Sequence, residues 1–352
     1  MYPYVHGGDI AGYEAAYGKT PLDFSANVSP LGVPDSVRAA AAAALARADR
    51  YPDPLCRALC AAIGQAEGVP AGWVLCGNGA ADLLFRAVLA VRPKRALLPA
   101  PAFAEYEQAL RLAGCAVEFY TLRAAHQFEP QADLLDAVRP GLDMLFLCEP
   151  NNPTGRTTPP ALLDAVAARC RETGTLLVCD ECFGAFLEQP HSLVPCLPAN
   201  PRLLVLKAFT KLYGMAGLRL GYCLSRDTDL LGRMRAAGQP WPVSTPAQAA
   251  GLAALRDREY ADRVRALVRR ERPFLLEGLR AAGFAPIEPL ANYILFHSAC
   301  ADLAARCRAR GVLIRDCGNY RALPQGWFRA AVRTHPENER LLAVLAGAQE
   351  GG

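Results

Sequence analysis

The residues best suited to chemistry lie in Lys207-Ala-Phe-Thr-Lys211-Leu-Tyr-Gly-Met-Ala-Gly-Leu-Arg219-Leu-Gly-Tyr222, directly after the apolar run Leu203–Leu206. A lysine at a strand end can be partly desolvated, which lowers its pKa and makes it a nucleophile or base. Arg219 is a permanent cation suited to a phosphate, and Gly217 and Gly221 allow close backbone approach. Taken singly, either charge is more often a solvated loop residue. Four further segments also follow apolar runs. Gly77-Asn-Gly-Ala-Ala-Asp82 opens an amphipathic helix, as a phosphate cradle of bare backbone N–H groups or as a plain turn. Phe103 can stack on a planar ring or sit in the core. Asn152, in Glu149-Pro-Asn-Asn-Pro-Thr-Gly155, offers an amide donor within what is also a tight turn. Asp180 closes the run Leu176–Cys179 and either caps a helix or pairs with a buried cation such as a protonated pyridine nitrogen. Together the five specify a phosphate cradle, a stacking ring, an amide donor, a pyridinium partner and a nucleophilic lysine beside an anion-binding arginine.

The elements that must position these residues are legible as alternating patterns. From about Ala39 to Arg226, helical stretches alternate with the apolar runs in WVLCGN, RALLPAP, AVEFYTL, MLFLCEP, TLLVCDE, RLLVLKA and LRLGYCL. That alternation predicts a mostly parallel sheet covered on both faces, with ligands at the carboxyl ends of its strands. An Ala-rich helix is expected over Ser36–Arg47. Pro240, Pro242 and Pro246 then break the chain, and a long charged helix is expected from Ala247 to about Gly283. NYILFHS, GVLIRDC and FRAAVRT read as strands of a second, smaller α+β domain. The expected division is an N-terminal segment (1–38) packing with the small domain, a large domain (39–230) and the small C-terminal domain (231–352).

The 352 residues, 52% hydrophobic and 20% charged, suit two globular domains. A formal charge of +4, with arginines scattered rather than striped, argues against a nucleic-acid partner. The start of the chain lacks a basic n-region followed by an apolar h-region, and runs such as Leu142–Cys148 are too short for a bilayer, so no membrane association is expected. The 13 cysteines show no repeating spacing. Cys179 and Cys182 form a lone C-x-x-C; without a second pair, no metal centre is expected, and a redox role stays open. Core cysteines imply a reducing, cytoplasmic setting.

These motifs resemble the aspartate-aminotransferase-like superfamily, fold type I of the pyridoxal-phosphate (PLP) enzymes, over nearly the whole chain. The segment from Lys211 to Gly221-Tyr222 and the Asn-Asn-Pro-Thr-Gly turn are the most specific marks. The resemblance implies an α/β fold: a large domain with a mostly parallel seven-stranded sheet flanked by helices, plus a smaller α+β domain. It makes Lys211 the catalytic Schiff-base lysine, Asp180 the pyridinium partner, Phe103 the stacking ring and Asn152 the residue near the ring oxygen. Thr210, Arg219 and the backbone of Gly79, Ala80 and Ala81 would hold the cofactor phosphate. Tyr51, in Arg50-Tyr-Pro-Asp-Pro, would reach the neighbouring subunit's cofactor phosphate, which implies a homodimer with shared active sites; the alternative is an ordinary turn.

Within that superfamily the chain is most similar to the cobalamin-pathway threonine-phosphate decarboxylases, through His6-Gly-Gly, Leu22-Asp-Phe-Ser-Ala-Asn27, Phe103-Ala-Glu-Tyr106, Pro240-Trp241, Arg315-Asp-Cys-Gly-Asn-Tyr320 and Ala331-Val-Arg333. The likeness implies decarboxylation of L-threonine O-3-phosphate to (R)-1-amino-2-propanol O-2-phosphate, with His6, Gly7, Asn27, Asn152, Arg315 and Arg333 contacting the substrate. Phe183 fits this reading, because many aminotransferases carry Tyr there. Ala208 and Ser244 depart from it, standing where Ser or Thr and Asn respectively are expected. The alternative is a histidinol-phosphate aminotransferase using 2-oxoglutarate and glutamate. A non-catalytic binding protein of the same fold is expected to have lost the lysine, and Lys211 is present.

Overall fold

The computed structural model describes residues 6–349. Its strands are β1 (Leu22–Asp23), β2 (Val74–Gly77), β3 (Arg95–Ala100), β4 (Ala116–Thr121), β5 (Met144–Cys148), β6 (Leu176–Asp180), β7 (Leu203–Ala208), β8 (Gly221–Leu224), β9 (Ala285–Pro286), β10 (Tyr293–His297), β11 (Val312–Leu313), β12 (Arg315–Asp316) and β13 (Trp327–Ala331). Seven of them form one sheet in the order β2-β8-β7-β6-β5-β3-β4. β8 alone runs opposite to the other six strands. The near-continuous apolar runs follow from burial on both faces. Leu145, Leu147, Leu177 and Cys179 pack on one face, while Met144, Phe146, Leu176 and Val178 pack on the other. At one end of this sheet Gly77 is the register partner of Gly221, and Gly221 of Ala208. The loops leaving β2 and β7 and the loop entering β8 therefore converge.

Two expected helices differ in detail. The Ala-rich helix spans Asp35–Ala44 and tightens into a 3₁₀ turn over Leu45–Arg47. The long charged helix is two helices, Thr245–Arg256 and Arg258–Ala281. Asp257 breaks them, because its carboxylate accepts from the Tyr260 N–H at 3.1 Å and caps the second helix. The first packs against Asp35–Ala44 and buries Ala247, Ala250 and Ala254 in the same core as Val74 and Leu224. That packing carries the large sheet's core past the boundary expected at 230/231, to about Arg256.

The small sheet is antiparallel, in the order β12-β13-β10-β9, and Leu275, Leu279, Leu341 and Leu345 of helices Arg258–Ala281 and His335–Gln349 join its core. GVLIRDC forms two short strands rather than one: β11 pairs in parallel with β1, and β12 with β13. Phe24, just after β1, enters the small core, and the Ser29 N–H donates to the Lys211 carbonyl at 2.8 Å. The segment between them thus runs from the small sheet to the lysine loop. Among the described residues no helix is long and apolar enough to cross a membrane, and no group of three or more His, Cys, Asp or Glu is placed to hold a metal ion.

Candidate active site

Lys211 lies in the short helix Phe209–Leu212 that leaves β7. Burial holds its amine below the ordinary lysine value; Cys182 and Asp180 oppose the effect, and Arg329 and Arg219 add to it. Lys207, four residues earlier, behaves oppositely. Burial would lower it, but Glu181 and Glu67 raise it, with Nζ 2.7 Å from Glu67 and 3.6 Å from Glu181. Lys207 is therefore a paired cation, whereas Lys211 is the amine poised to lose its proton.

The converging loops make a cradle beside it. Gly79 has φ +82, and a Cβ there would sit 2.7 Å from Arg219 Nη2; a Cβ on Gly221 would sit 2.5 Å from the Ala80 nitrogen. Glycine at both positions keeps this close approach. Gly79, Ala80 and Ala81 form the first turn of helix Gly79–Val91, whose N–H groups lack intrahelical acceptors. Thr210 is buried beside Lys211. Arg219, itself in the left-handed region at φ 55, donates to the Ala216 carbonyl at 3.2 Å and keeps the rest of its fork for an anion. With Tyr51, Asn78, Trp241 and Ser244 it lines a cleft of about 580 Å³. Tyr51 is 78% exposed and stacks on Trp241 at 4.3 Å. Ser244 caps helix Thr245–Arg256 by accepting from the Ala247 N–H at 3.3 Å, and Ala208 closes β7.

Asp180 is buried at the end of β6. Its Oδ2 accepts from the Tyr106 hydroxyl at 2.7 Å and its Oδ1 from the Cys182 N–H at 3.0 Å. The carboxylate is thereby oriented but retains lone pairs for a ring N–H⁺. Phe103 caps helix Ala104–Leu112 backbone-wise and meets Tyr106 edge-on at 5.6 Å. Phe183 lies 5.3 Å from the Lys211 amine and meets Tyr293 edge-on at 5.0 Å. Cys179 and Cys182 beside them have thiols pushed well up by burial.

The small sheet contributes cations. Arg329, midway along β13, is buried and donates to Asn152 Oδ1 and to the Ser25 carbonyl. Its Nε has no hydrogen-bond partner among the described residues. Arg315 on β12 is the register partner of Arg329. It reaches Asn319 Oδ1 at 2.8 Å and lies over the Tyr320 ring, whose hydroxyl donates to Asn152 Oδ1 at 3.4 Å. Like charges directly opposite on a sheet repel, so the pair favours an anion between or beside them. Arg333 is placed differently. It donates to Glu337 at 2.6 and 3.0 Å and to the Asp23 carbonyl at 3.1 Å, not to the other expected site residues. From the N-terminal side, His6 Nε2 lies 2.8 Å from Glu105. A Cβ on Gly7 would sit 2.3 Å from the Ser25 carbonyl oxygen, and Asn27 is buried with Oδ1 lacking a partner among the described residues.

Arg329, Tyr106 and Tyr320 carry no role in the sequence reading above, although all three were within segments it singled out. The available signal for Arg329 was a lone charge inside the apolar strand Trp-Phe-Arg-Ala-Ala, since a buried charge needs a partner.

The residues present fit PLP: a cradle for the phosphate, an oriented carboxylate for the pyridine nitrogen, and a deprotonation-prone amine for the aldehyde. The comparisons agree. The pattern of aminotransferase class I and II matches residues 19–345. Threonine-phosphate decarboxylase from Salmonella typhimurium is 38% identical, over 99% of this chain and 97% of that one. Histidinol-phosphate aminotransferase from Symbiobacterium thermophilum is 35% identical, over 99% and 96%. The crystal structure of the histidinol-phosphate aminotransferase from Clostridium acetobutylicum superposes with a TM-score of 0.88 at 24% identity, covering 94% of this chain and 100% of that one, and bears on the fold. The chain belongs to the aminotransferase class I and II family, and is a PLP-dependent enzyme of fold type I.

Proposed function

We propose that this enzyme decarboxylates L-threonine O-3-phosphate to (R)-1-amino-2-propanol O-2-phosphate, as a homodimer with shared sites. The observation that carries the reading is the cross-strand pair Arg315–Arg329. Phosphothreonine brings two anionic groups, which two forked guanidinium groups can divide within one substrate; histidinol phosphate brings one, and an aminotransferase would use the pair only for the two carboxylates of glutamate. Phe183 beside Lys211 and the 38% likeness to a threonine-phosphate decarboxylase support the same choice.

When bound, PLP draws electrons from whichever Cα bond stands perpendicular to its ring. The chain's task is therefore orientation. Arg329, fixed through Asn152 and Ser25, would hold one anion and Arg315 with His6 the other, and together they would orient the substrate for loss of its carboxylate. Asp180 keeps the ring nitrogen protonated. Lys211 then delivers a proton to Cα after CO₂ has left. Tyr51 of a second copy would complete the phosphate cradle. Incubating the holoenzyme with phosphothreonine and no 2-oxo acid tests the reading: CO₂ release is expected. Silence there, with turnover of histidinol phosphate that depends on 2-oxoglutarate, would support the aminotransferase instead.

A further inference from the structure

Glu105 is buried, yet its two carboxylate oxygens are used unequally. Oε1 lies 2.8 Å from His6 Nε2, while Oε2 has no hydrogen-bond partner among the described residues. A buried acceptor left bare is disfavoured unless something that binds completes it. The residue stands in the first turn of helix Ala104–Leu112, one position before the tyrosine that holds Asp180. The loop beyond β12 is docked against the same turn: Glu107 pairs with Arg321 at 2.7 Å. Tyr320, next to Arg321, has its hydroxyl pushed up by burial, and the Glu105 charge adds to that push. Through His6 and the loop that carries Arg321, Glu105 therefore stands beside the segments that would receive the substrate's anions. A fully ionised phosphate would be repelled by it. A phosphate that keeps one proton would instead bring the missing donor.

We propose that Glu105 is a positioning and specificity residue: Oε1 fixes the His6 imidazole against the substrate's phosphomonoester, and Oε2 accepts the hydrogen bond of that ester's P–OH. The inference rests on the phosphorylated substrate class proposed above, and not on whether the reaction is decarboxylation. A sulfate ester has the same shape and a single negative charge but no proton to give. A site built to accept that proton rejects the analogue, because its buried acceptor stays unpaired.

The test is binding to the holoenzyme, read after rapid mixing from the first change in the cofactor's visible band, before turnover. The ligands are L-threonine O-3-phosphate, L-histidinol phosphate and the sulfate ester of whichever amine binds the wild type. The wild type should bind the sulfate ester at least about tenfold more weakly than the phosphate ester. Glu105→Gln, which offers an N–H instead, should shrink that ratio at least about tenfold, chiefly by weakening the phosphate ester. The proposal is overturned by a wild type that binds both esters equally. It is also overturned by a Glu105→Gln enzyme in which both weaken by one factor, the mark of a merely structural role. The wild-type ratio keeps the test decisive if the variant fails to fold. Preference for histidinol phosphate would overturn the decarboxylase reading and leave this ratio measurable.

Discussion

At the scale of single residues, the site depends on how each charge is partnered. Lys207 and Lys211 stand four residues apart, one at the end of β7 and one in the short helix that follows, and only the structure separates them: Glu67 and Glu181 hold the first, while the second is left desolvated. The same logic distinguishes Arg329 from Arg333. Arg329 is buried against Asn152 with one nitrogen unpaired among the described residues, so Arg329→Met should cost about 3 kcal/mol of substrate binding, roughly a hundredfold in KM, with the cofactor band retained. Arg333→Met, which loses Glu337 instead, should lower Tm with a smaller change in KM, and steady-state kinetics on both variants checks the contrast. A second charge governs stability. Burial pushes the Glu149 carboxyl up to about 7, against the Thr158 hydrogen bonds. Its folded-state value is raised, so its contribution to stability is full below the ordinary carboxylate value of 4.5 and is lost as pH rises through about 7. The loss is up to about 3 kcal/mol. Glu149→Gln should therefore flatten the fall in Tm between about pH 5 and about pH 8, as measured by calorimetry at several pH values.

At the scale of elements, the cradle exists because β8 is threaded antiparallel between β2 and β7, which brings Gly77, Gly221 and Ala208 into one row. Gly79→Ala should weaken PLP affinity at least about tenfold, since the new Cβ meets Arg219 and φ is left-handed, and titration of the apoenzyme measures it. The strands that build this row were readable as apolar runs, because a parallel sheet buried on both faces needs them. Where the reading stopped short, local chemistry had outweighed periodicity. Asp257 caps a new helix inside a pattern that stays helical on either side. GVLIRDC is apolar throughout, but its halves pair with different partners, β1 and β13. Arg329 and Arg333 stand four residues apart in one apolar pattern, and only the tertiary contacts show that Arg329 meets Asn152 while Arg333 meets Glu337.

At the scale of the whole molecule, the cofactor cradle opens beside an exposed aromatic pair, Tyr51 on Trp241. An exposed aromatic stack edged by Pro52, Pro240 and Pro242 suits burial against a second copy. In a homodimer with shared sites, Lys211→Ala and Tyr51→Ala subunits complement each other, because a hybrid dimer restores one site with both residues intact. Mixing, unfolding and refolding the two inactive or weakened variants should recover roughly a quarter of wild-type activity by random pairing, whereas subunits with self-contained sites would recover none. The family and fold were legible from motifs spread along the chain, but the choice between two reactions was not, since both use the same lysine, aspartate and phosphate cradle. Turnover of L-threonine O-3-phosphate in D₂O, followed by mass spectrometry and CO₂ detection, separates them most directly. Decarboxylation predicts one CO₂ per turnover and an aminopropanol phosphate carrying one deuterium beside the original Cα hydrogen. Loss of that hydrogen, no CO₂ and a requirement for a 2-oxo acid would contradict the account.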